Sequence, residues 1–244
     1  MNETIQLLHN HRSIRKFTSE KLTNDEVRTI VKAGQRASTS SNVMAYSVIG
    51  VTDEHLKKEL RAVSGQKYVE NNGYLFVICA DLSRIAKLNK EKENIRKNLE
   101  STEQFIVATV DAALVTQNMV IAAESMGLGA CFLGSLRNDI NRVDELLQLP
   151  EYVIPLFGLA VGHPDHKPDI KPRLPFEAVF HENTYDKDKK EFVQAYDEIL
   201  SDYYQKRDSN NRDDNWTNQM IKKYSVLTRM DVSAYVQKKN FNKH

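Results

Sequence analysis

The stretch DAALVTQNMVIAAESMGLGACFLGSLRND, residues 111–139, decides how this chain folds. It closes an apolar helical segment that starts at Thr102 and runs to Met126, with Ala112, Ala113, Ala122 and Ala123 along it. A helix apolar all round belongs in the interior, and its small residues permit close packing, so the segment is placed centrally or at a subunit interface. Gly127 is expected to stop it. Ala130–Leu133 then reads as a strand, and Gly134 and Ser135 follow that strand. A dinucleotide-binding glycine fingerprint follows a strand and opens a helix. Here Gly127 and Gly129 follow a helix, so they read as a cap and a packing position. Only Gly134 and Ser135 are placed to bring backbone N–H groups against a ligand.

Upstream, Tyr46–Val51 is β-branched and aromatic, and YLFVICA (74–80) is a continuous apolar run suited to a strand buried on both faces. Thr23 with Glu26 is a capping box opening a helix through Val27, Ile30, Val31 and Gly34. Asp53 caps another that Gly65 ends. Ile5, Leu7 and Leu8 form an apolar stripe on a short first helix. The polar segment 85–98 is an exposed helix or a mobile connection. Downstream come an amphipathic helix, Ile140–Leu149, and a strand, Val153–Val161. A proline-rich loop, His163–Phe176, follows, and the remainder from Tyr185 is helical and polar. Strands separated by helices, with long helical additions, indicate an α+β or α/β domain. Residues 1–184 form its core, and 185–244 a helical extension packing on that core or on a partner subunit.

The 244 residues suffice for one large domain, and the formal net charge of +1 argues against a dedicated nucleic-acid or membrane-surface binder. Nine glycines and six prolines amount to about half the usual share, which disfavours collagen-like and turn-dense all-β folds. All the prolines fall between Pro150 and Pro175. Cys79 and Cys131 stand far apart in apolar surroundings, as expected of reduced, buried thiols in a cytoplasmic protein. No signal peptide is expected, and no segment approaches the uninterrupted apolar run of about 20 residues that a spanning helix needs.

Two clusters can grip anions. His11-Arg12-Ser13-Ile14-Arg15 offers cations and a hydroxyl, and arginine's planar fork suits a phosphate or the carbonyl edge of a heterocycle. Lys171-Pro172-Arg173-Leu174-Pro175 presents two cations on a loop whose prolines leave less entropy to lose on binding. A run of hydroxyls, Ser38-Thr39-Ser40-Ser41-Asn42, offers short donors and acceptors. Each also has an ordinary reading as a solvated loop. The histidines show no metal-ligand spacing, so no metal is expected, and no nucleophile motif is present.

With these motifs in order, the chain resembles the nitroreductase superfamily in its NADPH-preferring group. The matching stretches are HRSIR (11–15), STSS (38–41), GQKYV (65–69), residues 111–139, LPEYVIPLFGLAVGHP (149–164), KPRLP (171–175), HENTY (181–185) and SDYYQKRDSNNRDDNW (201–216). The resemblance implies an FMN-binding α+β fold, a central, mostly antiparallel sheet flanked by helices, in an intertwined homodimer with sites at the subunit interface. It implies that His11, Lys171 and Arg173 hold the FMN phosphate with Arg12 nearby, and that Ser13 meets the ribityl–pyrimidine region. Arg15 would sit by N1 and the C2 carbonyl, stabilising reduced flavin. Ser38, Thr39, Ser40 and Gln66 would contact the cofactor, some from the partner chain, and Leu133, Gly134 and Ser135 would line it. Ser41, Asn42, Arg137 and Arg229 would border the substrate, and Arg207 and Arg212 would bind NADPH. The implied activity is ping-pong reduction of nitro compounds, quinones, flavins or similar small oxidants by NADPH through flavin N5, with no side-chain acid or base required. A flavin reductase releasing reduced FMN, a disulfide or redox-stress reductase, and a non-enzymatic flavin-binding sensor are the alternatives. The chain departs from the group at Asn42, Val43 and Met44, where an apolar or aromatic residue and then Gln is common, in the loop bordering the open flavin face.

Overall fold

Residues Tyr74–Asp81 form the strand β2, and its alternation decides the layering. Phe76, Ile78 and Ala80 face one core cluster, while Leu75, Val77 and Cys79 face another, because successive side chains of a strand point to opposite faces. Around it lie β1 (Tyr46–Val51), β3 (Gly129–Leu133) and β4 (Val153–Gly162), in the order β1-β2-β4-β3. Every pairing is antiparallel. The sheet matches the α+β expectation. This computed structural model describes residues 1–88, 92–207 and 210–244. Parts of the 85–98 and 201–216 stretches, residues 89–91 and 208–209, lie outside the described residues.

Pro155 sits inside β4, where a missing N–H would break the ladder. The register shifts there: Ile78 pairs with Phe157 and Cys79 with Pro155, leaving Leu156 as a bulge. The Leu156 carbonyl accepts a hydrogen bond from Arg137 Nη1 instead.

The helices in order are α1 (Glu3–His9), α2 (Asn24–Gly34), α3 (Glu54–Ser64), α4 (Ser83–Leu88), α5 (Glu93–Leu99), α6 (Thr102–Ser125), α7 (Ile140–Leu147), α8 (Phe176–Val179), α9 (Lys190–Lys206), α10 (Trp216–Tyr224) and α11 (Val232–Lys238). Thr23 and Glu26 form the expected capping box on α2, and the Asp53 carboxylate accepts from the Leu56 N–H at the start of α3. Gly65 and Gly127 are left-handed, at φ 71° and 78°, and follow α3 and α6 as anticipated. One face of the sheet packs on α6 and α2, the other on α3 and α7.

α6 is long and apolar enough to cross a membrane, with a mean hydropathy of 1.6 over its most apolar window. That corrects the expectation that no segment comes close. Here it is the central packing helix, burying Ala108, Ala112, Val115, Met119, Val120 and Ala123 together with the carboxylate of Asp111. Its other face carries an exposed apolar stripe, Ile106, Val110 and Leu114. α1 buries none of its residues, and Ile5 and Leu8 remain exposed.

The chain forms two compact units, residues 1–167 with 229–244, and residues 168–228. The boundary suggested at 184/185 lies inside the second. The closing residues are part of the first unit: Lys239 is buried and its Nζ meets Asp144 Oδ1 at 2.9 Å and the Leu149 carbonyl at 2.7 Å. Phe241 is fully buried in the larger core cluster. In the second unit, Tyr196, Leu200 and Tyr204 of α9 are buried with Leu174, Tyr203 and Trp216 around them. Helical spacing of these side chains says that the face packs on something, on its own unit or on a partner; here it forms the core of this unit.

Candidate active site

Ile14 anchors HRSIR. Its N–H donates to the Ala130 carbonyl of β3 at 3.0 Å, and its side chain packs so tightly on Gly129 that a Cβ there would lie 2.5 Å from Ile14 Cγ1. Gly129 is therefore the residue that lets this segment lie against the strand. The following residues run beside the end of β4, with Phe17 bridging to Pro164 and Thr18 N–H donating to the His163 carbonyl.

That anchoring places Arg15, which is exposed, beside Tyr68 and Cys131. Burial pushes the Tyr68 phenol and the Cys131 thiol up, and the Arg15 guanidinium opposes both shifts. Next to Tyr68 in sequence, Gln66 accepts at Oε1 from Ser135 Oγ at 2.7 Å, and the Ser64 and Ser135 hydroxyls lie 2.7 Å apart. Arg15, Gln66 and Ser135 thus gather around the 65–69 turn and the end of β3. With the Gln66 oxygen engaged by Ser135, its amide nitrogen is the group turned to donate. Leu133 is fully buried in the core cluster on the α3/α7 side, so only its backbone can face a ligand.

His11 sits at the other end of the segment, its Nδ1 2.6 Å from Glu124 Oε1 near the C-terminus of α6. Glu124 fixes the ring from the Nδ1 side; nothing in the sequence pattern singled this partner out. The Arg12 Nε donates to the Asn10 carbonyl at 3.1 Å.

The hydroxyl-rich loop is held elsewhere on the same helix. Asp111, fully buried, accepts from the Ser40 N–H at 3.0 Å and the Ala45 N–H at 3.1 Å. Positions 111 and 124 stand about 20 Å apart along a helix rising 1.5 Å per residue. Within one chain, the Ser38–Asn42 loop is therefore not brought to His11.

Arg137 is partly buried beside Gly134. Burial, and then the Arg229 charge, lower its pKa from the usual arginine value. Arg229, in a left-handed conformation, grips Asn138 Oδ1 with Nε at 3.0 Å and Nη2 at 2.8 Å. These two arginines stand near each other, the charge of one acting on the other.

In the second unit the KPRLP loop is pinned: Tyr196 Oη donates to the Pro172 carbonyl at 2.9 Å, and Arg173 Nη1 donates to the Lys171 carbonyl at 2.9 Å. Lys171, Arg207 and Arg212 all converge on the ring of Tyr204, at 5.4, 4.7 and 4.1 Å from its centroid. Burial raises the Tyr204 phenol, but its hydrogen bonds with Lys171, Gln219 and Arg212 outweigh that and bring it below its usual value. Arg207 Nε is buried with no hydrogen-bond partner among the described residues. Cations crowded on one ring, one of them with an orphaned N–H, form a donor set suited to a phosphate. Among the described residues no cluster of metal-ligating side chains is present.

The nitroreductase family profile matches residues 8–163, and that of the nitroreductase family C-terminal domain matches 171–244. The chain belongs to the nitroreductase family. Among family members, the FMN reductase (NADPH) of Bacillus subtilis is 51% identical over the full length of both chains. The NfrA1 nitroreductase structure from B. subtilis superposes with a TM-score of 0.95 at 50% identity, covering 99% of this chain and all of that one. The NADPH:FMN oxidoreductase of Vibrio harveyi, solved with NAD+, gives 0.91 at 38% identity over the whole of both chains. This nitroreductase thus has the fold its motifs implied.

Proposed function

We propose that this nitroreductase is an FMN-dependent NADPH oxidoreductase of small oxidants. The observation that carries the reading is the gathering of Arg15, Gln66 and Ser135 around one turn, in a chain 51% identical to an FMN reductase (NADPH). The donor set fits a flavin: a guanidinium for the pole of the ring that gains negative charge, and neutral hydrogen-bonding groups for its carbonyl edge. FMN, when bound, supplies the electron and hydride chemistry. Arg15 places positive charge where reduction builds negative charge, and Tyr68 and Cys131 hold its position. Gln66, oriented by Ser135, donates to the ring edge, and Gly134 keeps the backbone open there. Ser13 meets the ribityl–pyrimidine region. His11, oriented by Glu124, and Arg12, together with Lys171 and Arg173 on the pinned loop, are assigned to the FMN phosphate. Arg207 and Arg212 are assigned to NADPH, and Arg137 and Arg229 to the border of the oxidant.

Ser38, Thr39, Ser40, Ser41 and Asn42 serve a second copy's site in this reading. Their distance from His11 along α6 supports it, and so does the exposed Ile106–Val110–Leu114 stripe, an apolar face suited to a homodimer. A cytoplasmic location accords with two free, buried cysteines.

Steady-state oxidation of NADPH and NADH against FMN, a quinone, a nitroaromatic and a disulfide tests the activity. The expected result is NADPH-preferring turnover with quinone or nitroaromatic; no turnover with any acceptor overturns it. The B. subtilis relative's name keeps one further reading in play, delivery of reduced FMN to a partner. FMN that stays with the protein through gel filtration favours the bound-cofactor reductase, and FMN that leaves favours delivery.

A further inference from the structure

The loop between α2 and β1 holds strained backbone at its tip. Ser41, Asn42 and Met44 all adopt left-handed φ, at 47°, 58° and 52°. None is glycine, and a side chain in that region costs energy that persists only where the surroundings over-determine the shape. Two anchors do this, one buried and one exposed. Asp111 takes the N–H of Ser40 on one oxygen and that of Ala45 on the other, stapling the two ends of the strained turn. From the opposite side Arg84 Nη2 donates to the Met44 carbonyl at 2.8 Å and the Tyr46 carbonyl at 2.5 Å. Arg84 is itself aimed: its Nη1 lies 3.4 Å from Asp81 Oδ2, and Asp81 is buried, accepting from the Ser47 and Ser83 hydroxyls and the Ser83 N–H. What this apparatus holds in place is an exposed tip, Ser41, Asn42 and Met44.

We infer that Asp111 and Arg84 are positioning residues whose joint clamp fixes the shape of the Ser40–Ala45 loop, and that this shape, read out through Met44 and Asn42, sets which oxidants the enzyme accepts. The inference rests on the proposed placement of this loop at the substrate border. Stored strain at an exposed tip, stabilised by a fully buried carboxylate, is a costly way to build a mere connection and a direct way to hold a contact surface rigid. Neither clamp residue touches substrate, so each acts through the loop. Asp111→Asn is nearly isosteric, but it sets an amide N–H2 against one of the two backbone N–H groups and releases one end of the turn. Arg84→Met keeps the aliphatic stem and removes both carbonyl contacts at a largely exposed site.

The test is the ratio of kcat/KM for a two-ring naphthoquinone to that for a one-ring benzoquinone, at saturating NADPH, in FMN-loaded full-length enzyme. Met44→Ala, Arg84→Met, Asp111→Asn and the Arg84→Met/Met44→Ala pair are compared. A change of about tenfold in the ratio is expected for each clamp variant, since misplacing a contact by about an ångström costs that much or more. FMN content stays that of the wild type, and the pair shifts less than the product of its two single changes, because both act through the same tip. An unchanged ratio in the clamp variants, while Met44→Ala moves it, overturns the clamp. An unchanged ratio in Met44→Ala overturns the placement of the loop at the oxidant instead. Equal loss on both quinones with parallel loss of FMN makes the residues structural only and overturns the inference. Should Asp111→Asn fail to fold, Arg84→Met decides alone.

Discussion

At the scale of single residues, Arg15 carries the proposed chemistry. Its guanidinium is exposed yet held beside Tyr68 and Cys131, so it is oriented before any ligand arrives. A preorganised charge acts where charge develops. Arg15→Ala is therefore expected to slow reduction of FMN by NADPH by about a hundredfold while weakening FMN binding far less, as followed by stopped-flow at saturating FMN. An unchanged reduction rate would contradict it. The two cysteines have a different fate. Burial pushes the Cys79 thiol from its usual value of 9.0 up to about 12, so the folded state keeps the proton that the unfolded chain releases. The corresponding stability is present below pH 9 and is lost as pH rises towards 12. A thiol reagent at pH 8 is expected to leave both cysteines unmodified in the native enzyme and to label both in denaturant; native labelling would count against the packing described. HRSIR and KPRLP stand out as candidate anion grips because cation spacing is written in sequence. Glu124, Asp111 and Arg84 were not, since a lone charged residue in a helix shows its partner only once the chain has folded.

Among the elements, the strands and caps followed from local chemistry: YLFVICA could only be buried on both faces, and Thr23, Asp53, Gly65 and Gly127 mark helix ends through known backbone preferences. The bulge at Leu156 was not legible. Pro155 warned of a ladder interruption, but only the antiparallel partner strand sets where the register slips. α9 left its packing partner open for a similar reason. Tyr196, Leu200 and Tyr204 recur at helical spacing, which says that a face is covered and not by what; the answer was Leu174 and Trp216 of the same unit. The C-terminal segment was equally silent until Lys239 met Asp144. That pair is buried, and breaking it leaves a carboxylate without its cation. Lys239→Ala is expected to destabilise the protein by about 3 kcal/mol, measured by chemical denaturation. A loss under about 1 kcal/mol, typical of exposed pairs, would show that the latch contributes little.

For the whole molecule, the proposed reading makes the chain half of a homodimer. α6 buries one face against the sheet and leaves Ile106, Val110 and Leu114 exposed on the other, while its length separates the serine loop from His11. Both observations support the proposed second copy. Val110→Glu with Leu114→Glu is expected to yield monomer by light scattering and to lose bound FMN at the same time; a monomer that retains FMN would place the whole site in one chain. The enzyme's chemistry is tested most directly by mixing FMN-loaded protein with NADPH anaerobically, with no oxidant present, and following the flavin absorbance. The account predicts complete bleaching with one NADPH per FMN, and recovery of the band when a quinone is then added. Flavin that stays oxidised until the quinone is present would contradict it.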